Sequence, residues 1–111
     1  MTRNFKQSKI YAIVSPSSKK FYIGSTTQFD LNKRFKTHLK KYNDYYNGNS
    51  PLYYSSFEIL KLKNPKIVLL ENCQNIANEF ALWKREQYYI NLYKDRVVNI
   101  ARPFSIVHVQ D

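Results

Sequence analysis

The sequence is poor in the residues that mark several large protein classes. Among 111 residues there are two glycines, four prolines and one cysteine. So little Gly and Pro, with 43% apolar and 16% aromatic residues, excludes a low-complexity linker and a disordered tail. The lone Cys73 excludes an internal disulfide and every multi-cysteine zinc module. Long apolar runs are missing: the longest aliphatic stretch, Ile67-Val68-Leu69-Leu70, falls far short of the ~20 residues of a bilayer span. The N-terminus lacks the apolar core and small-residue cleavage site of a secretory leader. The expectation is therefore a soluble intracellular protein, cytoplasmic or nuclear, not secreted and not membrane-bound. Its length fits one domain over 1–111, with a core of about 8–101 and a tail over 102–111.

Acidic residues are also scarce. Eight Asp and Glu face eighteen Lys and Arg, for a formal charge of +10. The imbalance is concentrated: residues 1–42 hold ten basic side chains and the single acid Asp30, whereas the remainder is nearly neutral. A field of one sign on one part of a compact fold is the footprint of a polyanionic partner.

Patterning divides the chain into few elements. Lys9–Val14 and Phe21–Thr26 are rich in aromatic and β-branched residues, and Ser15–Lys20 between them has turn composition, so together they read as a hairpin. Closing Val14 against Phe21 sets Ile13 opposite Tyr22 and Tyr11 opposite Gly24, with these four residues on one face. Asp30 is placed to cap a helix over Leu31–Tyr42, with Leu31, Phe35, Leu39 and Tyr42 as its buried stripe. Asn43–Ser50 reads as a loop, Pro51 to about Lys61 as a second helix, and Lys66–Leu70 as a short strand. The longest helix runs from about Ile76 to Lys94, with Ile76, Phe80, Trp83, Gln87, Ile90 and Leu92 or Tyr93 tracing its inner face. Arg96–Ala101 reads as an extended closing segment and Ser105–Val109 as an added edge strand or a loose tail. The order β-β-α-α-β-α predicts a small α+β domain with a hairpin-based sheet.

Several residues sit where chemistry is plausible. The helical neighbours of Glu86 are Leu82, Trp83, Tyr89 and Ile90, so its carboxylate falls on or beside an apolar stripe. There it needs a cation, a hydrogen-bond partner or a raised pKa; it is either a helix-edge Glu with a basic partner or a metal ligand. Arg34 and His38 are four apart on the first helix and flank its stripe. They read as a solvated basic face or as the border of a cleft, where Arg would bind phosphate and His would take a proton. Tyr11 and Tyr22 are packing residues or site residues. Gly24, opposite Tyr11, leaves room for a ligand to approach the backbone. Asn99, between apolar neighbours, ties backbone together or braces a site.

In order along the chain, Lys9-Ile10-Tyr11, Tyr22-Ile23-Gly24, Arg34 to His38, Glu86 in a late helix and Asn99-Ile100-Ala101 resemble the GIY-YIG nuclease family. They are closest to the catalytic domains of phage- and intron-encoded homing endonucleases. The resemblance spans about residues 8–101, and Lys9 replaces the first glycine of the opening triplet. It implies a small three-stranded antiparallel sheet, the hairpin plus one strand, flanked by helices. It implies a phosphodiester hydrolase acting on DNA with a single Mg²⁺ or Mn²⁺ ion. By this resemblance Glu86 holds the metal, Arg34 binds the scissile phosphate, Tyr11 activates or positions water with help from His38, Tyr22 lines the site, and Asn99 stabilises the fold nearby. Lys9 and Gly24 join the substrate-binding set. A domain of this kind without a recognition module is expected to bind DNA through phosphates, and to draw specificity from DNA structure, a protein partner or a homodimer. The competing reading is a non-catalytic nucleic-acid-binding domain that retains the fold.

Overall fold

The computed structural model describes residues 4–100. A 3₁₀ turn (Phe5–Gln7) leads into β1 (Ser8–Val14), followed by β2 (Tyr22–Thr26), α1 (Leu31–Tyr46), α2 (Phe57–Leu60), β3 (Lys66–Cys73) and α3 (Glu79–Leu92). The sheet is three-stranded and antiparallel in the order β2-β1-β3, the α+β class and sheet the sequence predicts. The hairpin register also agrees: Ile13 pairs with Tyr22 and Tyr11 with Gly24.

β1 is central, and its side chains alternate between two cores. Tyr11 and Ile13 join Phe57, Ile59 and Leu60 on the side of α1 and α2, with Tyr22, Leu31, Phe35 and Leu39 packed against them. Ile10 joins Ile23, Cys73 and Leu82 on the side of α3. The continuous burial of Ile10, Tyr11, Ala12 and Ile13 follows from helices covering both faces.

Element boundaries differ from the pattern reading for local reasons. The first helix runs four residues beyond Tyr42, through part of the Asn- and Asp-rich segment read as loop. A Lys40–Asp44 pair supports that turn, and Tyr42 and Tyr45 pack on the Phe57 ring. The helix stops where Gly48 takes φ of 78°, a conformation glycine adopts freely. The second helix forms only at Phe57–Leu60 rather than from Pro51. Residues 51–54 before it take no regular structure, and Tyr53 and Tyr54 pack against Phe57. The last helix starts at Glu79, because Asn78 accepts a hydrogen bond from the Ala81 amide and caps it there.

The third strand continues to Cys73 instead of ending at Leu70, and a bulge explains both its length and its polar end. Leu69 pairs with Tyr11, but Glu71 pairs with Ile10. Tyr11 and Ile10 face opposite sides, so the extra residue Leu70 turns Glu71 to the α3 side. Glu71 there accepts from Arg85 Nε (3.0 and 2.9 Å) and Nη2 (2.5 Å) and from the Tyr89 hydroxyl (2.7 Å). The Arg85 guanidinium holds its carboxyl down at about 2. This fork fixes the rotation of α3 on the sheet.

The outer edge of β2 is closed by the segment after α3. Phe21 accepts from Val98 N and donates to Arg96 O, both 2.9 Å; of the stretch read as extended, Arg96 lies in a turn and only Val97 forms a bridge, parallel to Phe21. Ala101 and the Ser105–Val109 tail lie outside the described residues. Asn99 supplies the next rung: its Oδ1 accepts from Ile23 N (2.9 Å) and its Nδ2 donates to Ile23 O (2.7 Å). Asn99→Ala removes both bonds and is expected to cost about 1–3 kcal/mol. Thermal denaturation should then show a melting temperature lower by roughly 5–15 °C; an unchanged melting temperature would mean that water replaces the amide.

Candidate active site

β1, β2 and α1 converge on one hydroxyl. Tyr11 is fully buried, and its OH lies 2.6 Å from His38 Nε2 and 3.1 Å from Arg34 Nε. A guanidinium only donates, so the phenol accepts from Arg34. His38 Nε2 is its other partner, and in the neutral tautomer with the proton on Nδ1 it accepts the phenol proton. The electrostatics agree. Burial first, then the charges of Arg34 and Lys41, push the His38 imidazole down from 6.5 to about 3, so it is neutral at physiological pH. The Tyr22 ring closes the group edge-on to His38, with centroids 5.6 Å apart.

Two expectations need correcting here. Arg34 and His38 do not flank the buried stripe of α1 or form a solvated face. They are its two buried residues, while Leu31, Phe35 and Leu39 are only partly covered. The Tyr11 hydroxyl beneath α1 makes this possible, because it hydrogen-bonds both polar groups. The exposed side of α1 carries Lys33, Lys36 and Lys40 instead. Gly24, in turn, does not leave an opening for a ligand. The Tyr11 ring fills that space: a Cβ at residue 24 would lie 2.5 Å from ring carbon Cζ and 2.9 Å from Cε1. Gly24 thus serves the site by admitting the phenol.

Glu86 is buried on α3, as its apolar neighbours suggest, although the inner face of α3 is Leu82 and Glu86 rather than the line through Phe80. Phe80 is exposed. The Glu86 carboxylate accepts from Ser25 Oγ at 2.5 Å. Ser25 follows Gly24 on β2, so Glu86 reaches the same stretch of strand from the α3 side, whereas the Tyr11 group approaches from the α1 side. Sequence reasoning missed Ser25, although its place one residue beyond Gly24 on an alternating strand was the available signal. It also missed the Glu71–Arg85 fork, which needs the bulge.

Lys9 shares the β1 face of Tyr11, two residues before it, but its own bonds lead elsewhere. Its Nζ donates to Gln7 O (3.1 Å) and lies 5.1 Å over the Phe29 ring. Cys73 is not a reactive thiolate: burial and Glu71 push it up to about 12.

Among the described residues no three His, Cys, Asp or Glu gather as a metal-binding group. A single buried carboxylate does not suit zinc. It does suit a hard cation that keeps most of its water, as Mg²⁺ does, so the donor set at Glu86 fits that ion.

The family model of the GIY-YIG catalytic domain matches residues 7–99. The chain belongs to the GIY-YIG family. The match runs from the residue before β1 to Asn99, so this GIY-YIG domain spans both sheet faces and every residue of the group described above. No curated protein and no solved structure matches the chain. Membership implies nuclease chemistry in general, a nucleic-acid substrate and, as is general for GIY-YIG nucleases, dependence on a divalent metal. Among the described residues no helix is long and apolar enough to cross a membrane.

Proposed function

We propose that this GIY-YIG chain is a divalent-metal-dependent endonuclease that hydrolyses phosphodiester bonds in DNA. The observation that carries the reading is the hydrogen-bond chain from Arg34 through Tyr11 to a neutral His38.

Arg34 binds the scissile phosphate. A guanidinium offers several N–H donors in a fixed plane, so it can pair with phosphoryl oxygens as their charge grows. As it moves onto the phosphate it releases the Tyr11 hydroxyl, which is fully covered while Arg34 donates to it. Tyr11 then takes a proton from the attacking water and passes its own to His38 Nε2. The second transfer runs along a 2.6 Å contact that already exists. Tyr22 confines the imidazole and lines the site. Glu86, oriented by Ser25, holds the cation with Mg²⁺ as the fitting choice, and Gly24 keeps the phenol in place. An ion held there would supply Lewis-acid stabilisation of the charge that develops on the leaving oxygen. Lys9 and the exposed lysines of α1 add phosphate contacts without base readout.

The test is cleavage of supercoiled plasmid and of a branched junction at low salt, with Mg²⁺, Mn²⁺ or EDTA, by wild type and Glu86→Ala. Cutting by the wild type that needs the metal and falls at least 100-fold in the variant is the expected result. Binding without cutting, equal in both proteins under every condition, would replace this reading with a non-catalytic nucleic-acid-binding domain.

A further inference from the structure

We propose that a pocket beside the Tyr11 group is a subsite for one unpaired nucleotide of the DNA strand, with the base stacked on Phe29 and its phosphate held by Lys6 and Lys9. This rests on the nuclease reading and adds the substrate form that such a site selects.

The cavity has a volume of about 380 Å³ and is lined by Lys6, Lys9, Phe29, Leu69, Asn72 and Gln74, among others, with no carboxylate in its wall. It opens on the same sheet face as the catalytic group. Lys9 pairs with Asn72, and Tyr11 with Leu69, and Lys9 precedes Tyr11 by two residues on β1. The two side chains therefore emerge on one side, roughly 7 Å apart along the strand. One nucleotide unit can bridge that separation.

Phe29 is the feature that packing does not explain. It is 75% exposed, the most of any large apolar residue described, yet its turn is firmly held. Gln7 Nε2 donates to Thr27 O, Thr26 Oγ1 accepts from Gln28 N, and Asp30 caps α1 immediately afterwards. A braced turn that presents an aromatic ring to solvent, with an ammonium over it, provides a rigid stacking platform. Every nucleobase has a face for such a platform, and an adjoining cation matches the phosphate. A base inside a duplex is already stacked on its neighbours, so only an unpaired one can enter. Exposed Leu69 extends the apolar floor, and the side-chain amides of Asn72 and Gln74 supply donors and acceptors for base edges.

The experiment uses DNA with a single 2-aminopurine, either unpaired in a short gap or within an intact duplex, bound in EDTA so that nothing is cut. Wild type should quench the gapped probe and leave the duplex probe nearly unchanged. Phe29→Ala, a change at an exposed position, should abolish the quenching and weaken gapped-DNA binding about tenfold, within the range for one base–aromatic stack. Lys9→Ala should lower the slope of log K against log salt by about 0.7, the value for one phosphate contact on a single strand. Equal quenching and affinity in wild type and Phe29→Ala would overturn the subsite, and so would equal quenching of gapped and duplex probes by wild type. Plasmid cleavage by wild type, run in parallel with metal, separates the two readings. If cleavage persists while Phe29→Ala binds normally, the subsite falls and the nuclease stands. If wild type neither binds nor cuts, both fall.

Discussion

Gly24→Ala should abolish the proposed cleavage and destabilise the fold in one step. The added methyl group would sit 2.5 Å from the Tyr11 Cζ, inside any real carbon–carbon contact. The ring cannot withdraw, because Tyr11 is fully buried among Ile13, Phe57, Ile59 and Leu60. Either β1 and β2 separate or the phenol rotates away from His38 and Arg34. Overpacking of this kind costs about 1–3 kcal/mol, and the melting temperature should fall by about 5–15 °C. Cleavage should drop at least 100-fold even well below the new melting temperature, because small displacements of a reacting group are costly. A double-mutant cycle identifies the cause. With Tyr11→Ala the ring is gone, so adding Gly24→Ala should cost much less than it does alone, a coupling of at least 1 kcal/mol. Additive costs would show that the methyl group clashes with something other than the phenol.

The same pair of residues shows what the sequence can and cannot disclose. The six-residue turn between two β-like runs sets the hairpin register, so the pairing of Tyr11 with Gly24 follows from counting. Which way the phenol leans across the strand does not, since it depends on α1 holding Arg34 and His38 above it. Periodicity assigns burial by polarity, and on that basis Leu31, Phe35 and Leu39 outrank Arg34 and His38. The order reverses because the polar pair finds the buried Tyr11 hydroxyl, while the apolar residues pack against the core only partly covered. Glu86 was legible for the opposite reason: its helical neighbours are all apolar, and no partner was needed to infer burial. Glu71 was not legible, because one bulge residue reverses the face of everything after it. The helix ends were set by particular bonds, such as the Asn78 cap and the Lys40–Asp44 pair, which are weak signals in a sequence crowded with Asn and Lys.

His38 couples the proposed chemistry to the acid stability of the fold. Its folded pKa, about 3, lies below the unfolded value near 6.5. Between those limits the unfolded chain binds a proton that the folded chain refuses. Stability therefore rises with pH across this window: the contribution is complete above about pH 6.5 and is lost as pH falls toward about 3. The shift corresponds to about 4–5 kcal/mol at the acid end, a large share of the marginal stability of a small domain. His38→Gln removes the titration and keeps an acceptor for the Tyr11 hydroxyl. Denaturant titrations from pH 7 to pH 4 should show wild type losing several kcal/mol relative to the variant. Glu71 is also held down, by Arg85, and sheds its own contribution as pH falls from about 4.5 toward about 2, but it does so in both proteins and cancels in the difference. Parallel stability curves would mean that His38 is not held neutral by the fold. At pH 7 the two proteins should differ far less in stability than in rate. Glutamine can accept the phenol's hydrogen bond but cannot take its proton, so cleavage should fall about 100-fold, the lower end of what a positioned proton acceptor contributes. A variant that stays folded, binds DNA normally and cuts at the wild-type rate would leave Tyr11 to work alone and reduce His38 to an orienting partner.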